Sequence, residues 1–230
     1  MNQPEPTFMI SGGERTRGGA LSVDNVNRVA RMLLSGGFAV LPSDTAYSVA
    51  AIAVTGSTRT TINTLLGRAN MAVSMAFPSM PAVRRWIQPS PVVEKILGRY
   101  CPGPITVVCP GSLELPASFF SEGARGPNLT IGVRIPDSVV ERDVAAATGY
   151  PITTVAVRDR ATGAVVTSFD EALAVVEAGM VEIGGAPWCA VEGTEFYPAH
   201  STVVAVTGDG RIEEKRPGDI PFADIEAAIR

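Results

Sequence analysis

One histidine, His200, and three cysteines, Cys101, Cys109 and Cys189, are all the chain has for imidazole or thiol chemistry. His200 lies between Ala199 and Ser201. Neighbours on a strand face opposite ways, which disfavours a Ser–His couple there and leaves His200 a structural or solvent-facing role. The cysteines show neither paired metal-ligand spacing nor an even count, and they read as buried free thiols of a reducing compartment. A Walker-type phosphate loop, a dinucleotide-type glycine fingerprint and a nucleophile elbow are all missing from the sequence. No His, Cys and carboxylate cluster has ligand spacing, so no metal site is expected. What stands out is an ordered set of short segments: Gly37-Phe38-Ala39-Val40-Leu41-Pro42-Ser43-Asp44-Thr45-Ala46-Tyr47, Leu66-Gly67-Arg68, Cys101-Pro102-Gly103-Pro104-Ile105-Thr106, Ile131-Gly132-Val133-Arg134-Ile135-Pro136-Asp137, Ser201-Thr202-Val203-Val204 and Lys215-Arg216-Pro217-Gly218-Asp219-Ile220.

In this order and spacing the segments resemble the YrdC/YciO family. Its members carry a strand ending in Pro-Thr-Asp-Thr-x-Tyr, then Lys-x-Arg, Pro-Gly-Pro-hydrophobic-Thr, Gly-Val-Arg-x-Pro, Ser-Thr-Val-Val and Arg-Pro-Gly. The likeness runs from about Val26 to Ile220. It implies an α/β, YrdC-like fold: a twisted open mixed sheet with flanking helices and a concave pocket for an adenine nucleotide and a small carboxylate. Members that are threonylcarbamoyl-AMP synthases condense threonine, bicarbonate and ATP into a carbamoyl adenylate that later modifies adenosine in tRNA. ATP is then a substrate, and its leaving pyrophosphate needs further positive charge or magnesium carried with the nucleotide. Planar arginine forks suit a carboxylate and a phosphate held together, and strand-end hydroxyls add neutral hydrogen bonds.

Carried over by position, Thr45, Arg134, Thr154 and Ser201 fall where the family contacts the amino acid, and Arg68, Thr130 and Arg216 where it contacts the nucleotide. At Thr154 the contact is expected from the backbone, and Tyr47 is expected to be a wall residue. Each has a plain structural role beside this one, since an arginine before Pro-Gly can simply solvate a loop and a strand-end threonine can simply favour strand. The chain also departs from the pattern: Leu66 stands where the family has the lysine of Lys-x-Arg, and Ala156 and Arg158 stand where it has Ser-x-Asn. Arg158 is the possible compensating cation. These losses keep open a paralogue with altered substrate in small-molecule carbamoylation, and a degenerate relative kept for interaction alone. A non-catalytic double-stranded RNA-binding module is the further alternative.

The elements that must position these residues follow from periodicity. Val26, Val29, Ala30, Leu33 and Leu34 recur at helical spacing from Asp24 to Ser35, with Gly36-Gly37 as the stop. Phe38 to Leu41 reads as a buried strand, and Ser43-Asp44-Thr45 as the turn beyond it. Further helices are predicted at Thr58 to Leu66, Pro81 to Trp86, Pro91 to Tyr100, Ser138 to Ala147, Phe169 to Ala178 and Ala223 to Ile229. Strands are predicted at Val73 to Phe77, Ile105 to Cys109, Thr130 to Ile135, Ile152 to Val157 and Ser201 to Val206. Mixed α/β is the class.

At 230 residues and 46% hydrophobic composition, the chain can bury one sizeable core without disulfides or metal. The net charge of -4 comes with scattered Lys and Arg, which makes extended nucleic-acid binding unlikely. Residues 1–20 are polar and Gly-rich and are expected to form a mobile arm, most clearly over Ser11 to Gly19, ahead of a single domain over 21–230. No secretory signal or bilayer-length apolar run occurs, so a cytoplasmic protein with no membrane partner is expected, without the extra C-terminal domain of longer family members.

Overall fold

Runs of apolar residues too short for helices, buried on both faces, form the centre of the molecule. The computed structural model describes residues 5–14, 19–53, 57–69, 71–112, 129–193, 197 and 200–230. Its strands are β1 (Phe8–Ile10), β2 (Phe38–Pro42), β3 (Tyr47–Ala50), β4 (Ser74–Ala76), β5 (Ile105–Pro110), β6 (Thr130–Arg134), β7 (Ile152–Thr153), β8 (Val155–Ala156), β9 (Trp188–Val191), β10 (Thr202–Val206) and β11 (Ile212–Arg216). Its α-helices are α1 (Val23–Leu34), α2 (Thr58–Leu65), α3 (Met80–Arg84), α4 (Pro91–Tyr100), α5 (Val139–Thr148), α6 (Phe169–Glu182) and α7 (Phe222–Ile229).

The expected open mixed sheet flanked by helices is present, with its strands divided between two sheets. One runs β1-β9-β2-β3-β8 and the other β11-β10-β5-β6-β4-β7. The chain crosses between them at Thr154, so the strand expected over Ile152 to Val157 is two short pieces in different sheets. Alternate residues of β2 serve two cores: Phe38 and Val40 pack toward α2 and α6, while Ala39 and Leu41 pack toward α1 and α5. The second sheet buries Ile105, Val107, Ile131, Val133 and Val204 beneath α3, α4 and α7. Its other face carries Thr106, Arg134 and Ser201, along with the partly exposed Val108, Gly132, Val203 and Ala205.

Phe8–Ile10, placed in the arm by the sequence, pairs in parallel with Cys189–Val191 as β1, and Ile10 is fully buried. Three residues in a polar stretch carry no usable period, and only the distant β9 makes them a strand. Residues 1–4 and 15–18 of the expected arm lie outside the described residues. Serine caps start several helices, with Ser22, Ser90, Ser138 and Ser168 each accepting a backbone N–H in the first turn. Ser168→Ala is expected to cost about 1 kcal/mol in urea unfolding, because α6 loses its cap and keeps its packing. Among the described residues, no helix is long and apolar enough to cross a membrane.

Candidate functional site

Where β5, β6, β10 and β11 meet, Arg216 donates from Nε (3.2 Å) and Nη2 (2.7 Å) to the Ser201 carbonyl oxygen, and from Nη2 to Ser201 Oγ at 2.8 Å. Ser201 Oγ lies 3.5 Å from Thr106 Oγ1. The loop after Arg216 is pinned to the same backbone: Asp219 donates its N–H to His200 O (2.9 Å), and Thr202 Oγ1 bonds both Ile220 O (2.7 Å) and Ile220 N (3.0 Å). Gly218 permits this, since a Cβ there would collide with His200 O and Thr202 N. The Ser-Thr-Val-Val and Arg-Pro-Gly segments are thus one structural unit.

Arg134 ends β6 facing this group. Its Nη2 pairs with Asp44 Oδ1 in an ion pair almost sealed from water, the two side chains being 6% and 1% exposed. Asp44 Oδ2 also accepts the Asp137 N–H at 2.9 Å. The Ser43–Ala46 turn closes through a 2.9 Å backbone bond and holds Thr45 9% exposed, with no hydrogen-bond partner for its hydroxyl among the described residues. Arg134 Nε is likewise buried without a partner among them.

Behind the turn lies a carboxylate that the sequence reading did not single out. Glu141 is fully buried and accepts hydrogen bonds from Ser43 Oγ (2.6 Å), Ser48 Oγ (2.6 Å) and Thr154 Oγ1 (2.8 Å). The available signal was spacing: Glu141 shares the helix face of buried Val144, Ala145 and Thr148. Burial pushes the Glu141 carboxyl upward, and so does Asp44; Arg134 and the Ser43 and Ser48 hydroxyls pull it down, but burial prevails. The folded chain therefore holds this proton more tightly than the unfolded chain does. The associated stability is full below the ordinary carboxylate range and is lost as pH rises through that range to the raised folded value. Thermal melts across pH should show this decline in the wild type and not in Glu141→Gln.

The remaining cations approach from the five-stranded sheet and from α2. Gly67, with φ +62°, turns the chain after α2, and Arg68 donates from Nη2 to Ala72 O at 3.1 Å while its buried Nη1 has no partner among the described residues. Arg158, just past β8, donates from Nη1 to Gly163 O at 2.7 Å. Burial first, then Arg158, lowers the Arg68 pKa; burial, then Arg158 and Arg134, lowers that of Arg216. His200 is lowered by burial, Arg158 and Arg216, with Asp219 opposing. Arg68, Arg134, Arg158 and Arg216, distant in sequence, thus form a chain of electrostatic neighbours linked through Arg158 and Arg216. Inorganic pyrophosphate is expected to raise the melting temperature in a saturable way, with a smaller rise in Arg158→Ala.

Other sequence-selected residues fall elsewhere. Thr130 shares Arg134's face of β6 but lies four residues back, about 13 Å along the strand, and is exposed. Thr154 commits its hydroxyl to Glu141 and its N–H to Ser74 O at 3.0 Å. Tyr47 is fully buried, exchanging hydrogen bonds with Gly193 O (2.5 Å) and Gly193 N (2.8 Å). Leu66 is 6% exposed within the core shared by α2 and α6, so it does not face the arginines as a lysine head would. Cys109 and Cys189 are buried, with thiols pushed up to about 12 mainly by burial, whereas Cys101 is partly exposed and pushed up to about 11, mainly by burial. Among the described residues, no group of three or more His, Cys, Asp or Glu could hold a metal ion.

A sequence profile named for Sua5, YciO and YrdC, and described as "Telomere recombination", matches residues 31–218. The fold superposes on P. abyssi Sua5 complexed with L-threonine, with TM-score 0.76 and 21% identity over 97% of this chain and 61% of that one. It superposes on E. coli YciO with TM-score 0.75 and 16% identity over 94% of this chain and 98% of that one. Full-length HypF in its phosphate- and nucleotide-bound form matches with TM-score 0.63 and 15% identity over 86% of this chain and 29% of that one. No curated protein matches in sequence. The chain spans about three fifths of the length of P. abyssi Sua5.

Proposed function

The chain belongs to the Sua5/YciO/YrdC family, and from that premise we propose that it binds ATP and a small amino acid and forms or handles a carbamoyl adenylate, as threonylcarbamoyl-AMP synthases do. The observation that carries this reading is the gathering of Arg68, Arg134, Arg158 and Arg216, whose fields overlap and which retain unpartnered donors at Arg68 Nη1 and Arg134 Nε. The relative solved with L-threonine supports a small amino acid as guest.

In this reading Arg134, Thr45, Ser201 and the Thr154 backbone receive the amino acid. Arg68 and Arg216 receive the phosphates, Arg158 replaces the charge that Leu66 lacks, and Thr130 is within reach only of the far end of the nucleotide. Amine and bicarbonate give a carbamate and water. The carbamate oxygen then attacks the α-phosphorus, and pyrophosphate leaves. No protein nucleophile is required; the protein's share is orientation and stabilisation of charge on the phosphoryl oxygens. Magnesium would enter with the nucleotide.

A second reading, a family member acting on a different carbamoyl acceptor, draws on Leu66 in the core and the Thr154 hydroxyl held by Glu141. The test is pyrophosphate release from ATP and bicarbonate with threonine and then with the other common amino acids. Release with threonine, falling about tenfold or more in Arg216→Ala, supports the first reading. Release only with another amino acid supports the second, and release no faster than in buffer with every one rejects both.

A further inference from the structure

Glu141 sits one hydrogen-bond step from the ion pair that orients Arg134. Ser43 Oγ is 2.6 Å from Glu141 Oε2 and 3.2 Å from Asp44 Oδ1. A hydroxyl has one proton to donate, so Ser43 can serve one of these carboxylates at a time. While Glu141 is ionised, the Ser43 proton belongs to Glu141, and the buried trio Asp44, Arg134 and Glu141 has a net charge of -1. When Glu141 is protonated, its own O–H donates to Ser43, whose proton is released to Asp44. The trio is then neutral. The charged groups whose fields reach Glu141 are Arg134 from β6 and Asp44 from the turn; its partners from β3 and from the β7–β8 junction, Ser48 and Thr154, are neutral hydroxyls.

We propose that Glu141 is a positioning residue that, by gaining or losing one proton, sets through Ser43 and Asp44 the charge that Arg134 presents to an anionic guest. An anion approaching Arg134 meets less repulsion from the neutral trio, so its binding draws a proton onto Glu141. By linkage, protonating Glu141 strengthens the binding of that anion equally. The three hydroxyl partners keep the carboxyl hydrogen-bonded in either state. The identity of the guest, though not the proton relay, rests on the function proposed above.

Glu141→Gln fixes the neutral state. Its amide oxygen can accept from Ser48 and Thr154 while its NH2 donates to Ser43, so the variant should melt close to the wild type at acidic pH, where Glu141 is protonated, and above it as pH rises. In the free protein, the Arg134 Nε–H resonance of wild type is expected to move in one step at a pH above the ordinary carboxylate range. In Glu141→Gln it should lack that step and stay at the acidic-limit position. No step in wild type, or the same step in the variant, overturns the proposal. If Glu141→Gln does not fold, Ser43→Ala, which keeps the carboxylate and removes the relay, must shrink the step; an undiminished step overturns it.

Calorimetry with L-threonine in two buffers of different ionisation heat gives the linked result. Wild type should take up protons on binding and the variant none. At alkaline pH the variant should bind about tenfold more tightly, the ratio that follows if the bound guest raises the proton affinity of Glu141 by the same factor. Threonine binding by wild type without proton uptake overturns the coupling. A resonance step with no threonine binding by either protein rejects threonine as the guest and leaves the Glu141 relay supported.

Discussion

Replacing Asp44 with Ala is expected to lower the unfolding free energy by about 3–5 kcal/mol in urea titration, the range for removing one partner of a buried ion pair. The loss has two sources. Arg134, 6% exposed at its side chain, would keep its charge without its paired carboxylate, and the Asp137 N–H would lose the oxygen that accepts it at 2.9 Å. The positive charge of Arg216, whose field overlaps that of Arg134, deepens the effect. The double variant Asp44→Ala/Arg134→Met should recover much of the loss, since it removes both charges and keeps an apolar stem in place. A cost below about 1 kcal/mol for Asp44→Ala would show that water reaches the pair and that it behaves as a surface salt bridge.

Gly179→Ala should also destabilise, by about 1–3 kcal/mol with a matching fall in melting temperature, although alanine is the better helix former. Gly179 lies inside α6 where that helix crosses the end of α2, and an added Cβ would collide with the Leu65 carbonyl oxygen, which also accepts from Arg160 Nη2 at 2.6 Å. Relief requires α2 and α6 to separate, and that movement shifts the Leu66-Gly67-Arg68 corner with them. Pyrophosphate binding should weaken along with stability. Gly98 in α4 is the control, because nothing lies within 4 Å of its added Cβ. There Gly98→Ala should stabilise by about 0.5–1 kcal/mol through helix propensity alone. Equal effects at the two glycines would show that the crossing of α2 and α6 is loose.

Helices were legible wherever a serine cap and an apolar period coincided. Pro91–Tyr100 matches the reading end to end, and Phe169–Glu182 only runs one turn longer. Strands whose identity depends on a distant partner were not legible. Phe8–Ile10 and Trp188–Val191 are short and make sense only together; Tyr47–Ala50 is hidden behind its turn; and Ile212–Arg216 is too charged to look like a strand. In the site, arginines embedded in recognisable segments could be chosen in advance. Glu141 could not, because a Ser-x-x-Glu at a helix start ordinarily reads as an exposed cap. Its burial is decided by Ser43, Ser48 and Thr154, which come from other segments.

The outermost strands of both sheets share a property that bears on solubility at high concentration. Three of the four, β1, β7 and β8, are only two or three residues long, and β11 has Glu213, Glu214, Lys215 and Arg216 along most of its length. A ladder needs several consecutive free amides and carbonyls before another chain can dock on it, and a run of charged side chains makes such docking unfavourable. Two open sheets in one molecule would otherwise expose four templates for fibrous growth. Here the borders are cut short or charged, and the sheets can remain open without recruiting neighbouring chains.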